Sequence, residues 1–171
     1  MAGQIQDILQ KGEGYRVLAR RKARGHYLAS KSQQKMHTLL GVPVVAISAA
    51  LGTSIFASLS SDPNIYVRIS AGLLAILVTV LASLQTFFKY SESAEKNRVT
   101  AAEYAVVHRR LDIFLLCDSK SDVSDRVGTL KELEAIVTEL NRLEKDAPDI
   151  PDHLYDQARR EQMSHTGDSH N

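Results

Sequence analysis

Three sets of side chains in this 171-residue sequence have types and spacings suited to chemistry, and none of them is a catalytic set. The first is basic. Arg20-Arg21-Lys22-Ala23-Arg24 is a cationic cluster, and Arg16, Arg20 and Arg24 stand four residues apart, on one face of a helix. Cations at that density bind phosphate, whether of a lipid headgroup or of nucleic acid. The second set is small and hydroxyl-bearing. Ala46, Ala50, Ser54 and Ser58 recur every four residues, as do Ala71, Ala75, Thr79 and Ser83, and Ser48 lies beside the first row. Rows of this kind let helix backbones approach closely and let hydroxyls bond across. The third is the uncharged polar pair Gln85 and Thr86 at the end of an apolar run, a candidate polar mouth.

Enzyme chemistry has no visible carrier. The six histidines (His26, His37, His108, His153, His165 and His170) are scattered, and only His108 falls on an apolar helical face, where a buried hydrogen-bonding role is expected. The single cysteine, Cys117, excludes an intrachain disulfide and a paired-cysteine metal site. The sequence has no G-x-S-x-G, P-loop, G-x-G-x-x-G or H-E-x-x-H motif. The expectation is a protein that is not an enzyme, with no metal, no cofactor and no nucleic-acid partner.

The elements that position these residues are set by charge. Leu39–Leu59 and Ile69–Phe88, 21 and 20 residues long, contain no Asp, Glu, Lys, Arg or His. At about 1.5 Å per residue each is roughly 30 Å long as a helix, the thickness of a bilayer's hydrocarbon core. Asp62 and Arg68 are the only charged residues between 39 and 88. The overall net charge of +1 conceals a segmented chain: residues 1–38 carry a net +6 and residues 89–171 a net −5. The basic stretch before the first run is too long for a signal peptide, and the run itself is too long for a signal's apolar region, so the first span is expected to remain as an anchor.

Lys and Arg dominate before the first run and return at Lys89, Lys96, Arg98, Arg109 and Arg110, whereas the intervening loop has Arg68 alone. The positive-inside rule then places both termini in the cytoplasm and the short loop outside. Arg20, Arg21, Lys22, Arg24 and Lys89 are the expected headgroup and topology determinants, with membrane lipid as the first partner.

The expected fold is all-α, a single domain over 1–171 built around a two-helix transmembrane hairpin. A basic cytoplasmic helix occupies 1–38, the spans 39–59 and 69–88, and an outer loop 60–68. Pro43 is read as lying near the start of the first span's helix, where its missing N–H is tolerated. With no Pro or Gly between Gly72 and Gly128, the second helix is expected to run on without a break to about residue 116. Tyr90, Ala94, Ala101, Tyr104, Ala105, His108, Leu111 and Leu115 share a face of this extension, with Tyr90, Tyr104 and His108 as packing residues. A linker at 118–122 leads to a helical region over 124–160, in which a helix starting near 124–129 is closed by Pro148 and Pro151, and to a disordered tail over 164–171.

Absence of ionisable groups from both spans excludes proton-coupled transport and intramembrane catalysis. Antiparallel pairing levels Ser48 with Thr79, a pair that could share a hydrogen bond worth about 0.6–2 kcal/mol. The small-residue rows either pack the hairpin, or one packs it and the other faces an oligomer axis. Two helices cannot enclose a channel, so any pore is built from several copies, with a Ser, Thr and Ala wall of the type that gates by dewetting.

The order of features carries a resemblance. A Gly/Pro-marked first span is followed by a second ending Leu84-Gln85-Thr86-Phe87-Phe88-Lys89, then Glu95-Lys96-Asn97-Arg98-Val99-Thr100-Ala101-Ala102-Glu103-Tyr104, and the C-terminal region holds Ala147-Pro148-Asp149-Ile150-Pro151. Over roughly residues 12–160 the chain resembles the SLATT family, the SMODS- and SLOG-associating two-transmembrane effector domains of prokaryotic conflict systems. That resemblance implies an oligomeric effector of antiviral, abortive-infection defence that permeabilises the inner membrane. It also implies coupling to a sensor or nucleotide-second-messenger synthetase encoded nearby. The residues alone leave a second possibility, a non-conducting anchor or scaffold whose cytoplasmic helices recruit a partner.

Overall fold

Good helix formers fill every stretch between the turn-forming residues, and backbone hydrogen bonding follows them. The computed structural model describes residues 2–58, 64–118 and 126–167, with side chains described for 6–53, 64–116 and 128–164. Among these residues the protein is all-helical, with five helices: α1 (Ala2–Ser58), α2 (Ile65–Phe88), α3 (Tyr90–Asp118), α4 (Arg126–Asp146) and α5 (Asp152–Gly167). The side chains of Ser54, Ser58 and Cys117, residues 59–63, most of the expected linker and residues 168–171 lie outside what is described.

Several expected boundaries move. α1 is one helix, without a joint between the basic segment and the first apolar run, because a change from polar to apolar side chains leaves the backbone ladder intact. Pro43 therefore stands deep inside a helix rather than near its start. There its missing N–H leaves the Leu39 carbonyl without the usual partner four residues on. α2 starts at Ile65, so 65–68 are helical rather than loop; Asn64 caps this end, its side-chain oxygen accepting from the Tyr66 N–H at 3.4 Å. The expected single helix from the second span to residue 116 is interrupted at Lys89, which takes a left-handed conformation with φ 44° and ψ 40° and closes α2. Within the region 124–160, α4 ends just before Pro148 and Pro151, as expected, and α5 follows them, but residues 164–167 continue α5 instead of beginning a tail.

The chain divides into two compact units, Met1–Ser30 with Glu95–Asn171, and Lys31–Ala94. The first, the helical unit, has its core where α1, α3 and α4 meet, around Ala19, Tyr104, Leu111, Phe114, Ile136 and Leu140. Buried positions on α3 (Asn97, Thr100, Tyr104, Val107, Leu111, Phe114) alternate in steps of three and four, and Leu133, Ile136, Leu140 and Leu143 do the same on α4. That alternation is the seam of a coiled-coil-like bundle. α1 meets it through small residues: a Cβ on Gly12 would lie 3.2 Å from Leu115, and one on Gly25 would lie 3.1 Å from Ile150. At both glycines α1 lies close to a neighbouring apolar side chain, which would have to shift by a few tenths of an ångström to admit a Cβ.

Charge also holds this unit together. Arg16 pairs with Asp112 on α3 at 3.0 Å, Lys22 with Glu144 on α4 at 3.0 Å, and Arg24 with Glu161 on α5 at 2.7 Å, while Arg110 pairs with Glu139 between α3 and α4. Each such partly exposed pair contributes about 0–1 kcal/mol. Three of the four set a basic α1 against acidic partners, which gives the opposite charges of the two ends of the sequence a role inside one unit.

The second unit pairs the C-terminal part of α1 with α2. Its less exposed residues include His37, Leu40, Gly41, Val44, Ile47 and Leu51 on α1, and Ala71, Val78, Leu81, Ala82 and Gln85 on α2. No residue of α2 is buried. Leu39, Val45, Leu73 and Ile76 are each more than 60 % exposed, so large apolar surface faces outward. Among the described residues, two helices are long and apolar enough to cross a membrane, and the apolar window of neither is buried.

Candidate functional site

Two places concentrate the side chains with functional potential. In the apolar unit, the bulky Leu, Ile and Val residues form the less exposed face, and the small-residue rows lie beside it. Ala46, Ser48 and Ala50 on α1 are exposed, as are Ala75, Thr79 and Ser83 on α2; Ala71 alone of the described row is half-buried. Within one chain, then, the described members of the two rows other than Ala71 lie off the less exposed face. The hydroxyls turn to their own helix: Thr79 donates to the Ala75 carbonyl at 2.8 Å, Ser83 to Thr79 at 2.8 Å, and Thr86 to Ala82 at 3.0 Å. The expected Ser48–Thr79 hydrogen bond does not form, because a helix carbonyl four residues back is always in reach of a Ser or Thr hydroxyl.

Gln85 is half-buried and makes the described polar contact between the two helices, its Nε2 standing 3.3 Å from His37 Nδ1. With the amide nitrogen as donor, His37 accepts on Nδ1. Gly41 makes room for this, since a Cβ there would lie 3.1 Å from the Gln85 amide nitrogen. Thr86 is exposed beside it. At the same end of α2, Phe88 stacks on Tyr90 with ring centroids 5.3 Å apart, and Lys89 pairs with Glu92 at 3.5 Å. Tyr90 thus packs against the end of α2 rather than on the seam of the helical unit.

In the helical unit a polar layer interrupts the apolar seam. His26 and Asn97, 1 % and 2 % exposed, face each other, the His26 Nδ1–H donating to Asn97 Oδ1 at 2.9 Å. The imidazole stacks on Tyr104, centroids 5.5 Å apart and planes 11° from parallel. Burial holds His26 below its ordinary pKa of 6.5, with the Asn97 hydrogen bond opposing and the charge of Lys22 adding to the fall. Burial, and secondarily the charge of Glu144, pushes Tyr104 up to about 12. Its hydroxyl is buried without a hydrogen-bond partner among the described residues. His108, expected as the buried hydrogen-bonding histidine, instead sits half-buried with Nδ1 3.2 Å from Asp112, its pKa also lowered, chiefly by burial.

These two histidines make stability pH-dependent with a definite sign. Both have folded pKa values below the unfolded 6.5, so the unfolded chain takes up protons first as pH falls. Their contribution is complete above about pH 6.5 and is lost as pH drops below it. Thermal melts of the full chain in mild detergent are expected to show a lower Tm at pH 5.5 than at pH 7.5. His26→Gln should reduce that difference; an equal pH dependence in this variant would assign the effect to other groups.

The basic cluster is distributed around α1. Arg21 donates to Gln162 Oε1 at 3.3 Å and Arg24 to Glu161, whereas Lys22 turns the other way, to Glu144 and over the Tyr155 ring. Sequence reasoning named Arg20, Arg21, Lys22, Arg24, Gln85, Tyr104 and His108 but missed His26, Asn97 and His37. The signal for the first two was the three-four alternation running from Asn97 to Phe114, with His26 seven residues after Ala19. Among the described residues, no group of three or more His, Cys, Asp or Glu is placed to hold a metal ion. Comparison with known protein families, characterised proteins and solved structures gives no match for this chain.

Proposed function

We propose that the chain is a two-span membrane effector of a prokaryotic antiviral conflict system, which oligomerises and permeabilises the inner membrane when activated. In this reading it has no enzymatic activity, both termini are cytoplasmic, and the helical unit receives the activating signal from a sensor or second-messenger synthetase encoded nearby. The observation that carries the membrane part is the outward apolar surface of an α2 with no buried residue. A 24-residue helix is about 36 Å long, enough to cross the hydrocarbon core. Tyr66 and Tyr90 bracket it, as interfacial aromatics do. The effector part is supported by the SLATT resemblance, and the need for several copies by small-residue rows left open to the outside.

A non-conducting anchor is favoured by one observation, the turning of the Thr79, Ser83 and Thr86 hydroxyls to their own helix, which leaves a largely apolar face. A potential-sensitive dye in bacteria overproducing the chain separates the two. The effector reading predicts depolarisation that requires both spans. A normal potential under activating conditions, with the sensor encoded nearby co-produced and the protein present in the membrane fraction, overturns it and leaves the anchor.

A further inference from the structure

Arg20, Arg21 and Arg24 are brought together with Gln162, Glu161 and Ala158 around a cavity of about 330 Å³ between α1 and α5. Three guanidiniums within five residues repel one another, and like charges at i and i+4 destabilise a helix. One carboxylate, Glu161, offsets Arg24. Neither Arg20 nor Arg21 has an ion-pair partner among the described residues, although Arg16, Lys22 and Arg24 around them each have one. Arg21 is nevertheless held in place: its Nε–H donates to Gln162 Oε1, and Gln162 Nε2 in turn donates to the Val17 carbonyl at 3.3 Å. Among the described residues the cavity therefore combines three guanidiniums against one carboxylate, with one guanidinium fixed by a neutral amide.

The geometry points to a phosphate-binding site, with Arg20 and Arg21 as the principal ligands and Arg24 shared between Glu161 and the incoming anion. Guanidinium groups match phosphate oxygens in pairs, and such charge-assisted bonds are about twice as strong as neutral ones. The cavity lies at the small end of the range of about 300–1,000 Å³ that holds small molecules, which suits a phosphate or diphosphate group. Lys22 is excluded, since it points to Glu144 and Tyr155. The phosphate could belong to a soluble compound or to a lipid headgroup; the recognising chemistry is the same. The site lies in the helical unit and does not depend on whether the spans conduct.

The test is a thermal melt of the full chain in nonionic detergent at constant ionic strength. Inorganic pyrophosphate is added in one arm, and in the other phosphatidylglycerol is mixed into the micelles. A Tm rise of several degrees with pyrophosphate, absent with sodium chloride, marks a soluble phosphate ligand. A rise with phosphatidylglycerol alone marks a headgroup. Arg20→Gln with Arg21→Gln should weaken whichever response is seen by roughly tenfold or more. Arg20→Gln alone, at an exposed position, guards against misfolding and should weaken it in part. No response in either arm, an equal response to chloride, or an unchanged response in the double variant overturns the site.

Discussion

Leu111→Ala is expected to destabilise the helical unit by about 2–5 kcal/mol. Leu111 is 0 % exposed in the core shared by α1, α3 and α4. Alanine there removes the apolar contacts and leaves a cavity that three packed helices cannot close without moving. Against a total stability of about 5–15 kcal/mol for a typical domain, that is a large fraction. Ile113, two residues on but 60 % exposed, provides the control: Ile113→Ala should change stability by less than about 0.5 kcal/mol. Denaturant titrations followed by circular dichroism compare the two. Equal effects would mean that the seam described for α3 is wrongly placed.

Thr79→Leu combined with Ser83→Leu should reduce permeabilisation by roughly tenfold or more, the scale of one or two interhelical interactions in a membrane. Both residues are exposed on α2, and both hydroxyls already bond to their own helix. What the pair offers a neighbouring copy is therefore small size rather than polarity, and leucine fills the space where helices would approach. Each added leucine favours insertion by about 0.3–0.6 kcal/mol, so loss of the protein from the membrane cannot explain a reduced effect. Unchanged depolarisation in cells, at equal amounts in the membrane fraction, would remove the small-residue face from the mechanism.

How legible the fold was in the sequence depended on the kind of signal. Absence of charge over 39–59 and 69–88 is a long, unambiguous pattern, and it located the two apolar helices. The break at Lys89 had no such pattern, because a left-handed cap is usually glycine and a lysine there looks like any helical residue. The expected helical face named buried residues at Ala94, Ala101, Tyr104 and Leu111 but also took in Ala105, His108 and Leu115, which are only half-buried. The real seam repeats every 3.5 residues and takes in Asn97, Thr100, Val107 and Phe114. Three of those four are polar or β-branched, which hid them from a search for large apolar residues. The candidate sites were legible in composition but not in pairing. The arginines were plain to see; that Gln162, some 140 residues later, would fix one of them depended on how α5 packs. Likewise His37 and Gln85 meet only through the antiparallel register of α1 and α2.

The same contrast reinterprets the charge asymmetry. In the sequence, a basic start and an acidic end suggest topology and lipid contact. In the fold, Arg16, Lys22 and Arg24 of α1 pair with Asp112, Glu144 and Glu161 of α3, α4 and α5. Complementarity between helices that must pack together accounts for much of the pattern.

Dye release from liposomes bearing the purified full-length chain tests the central proposal most directly. If several copies build the lesion, release should rise more steeply than linearly with the ratio of protein to lipid. Liposomes that hold their dye at every ratio even with the activating partner present, the chain shown to be inserted, would contradict permeabilisation and leave a two-helix anchor.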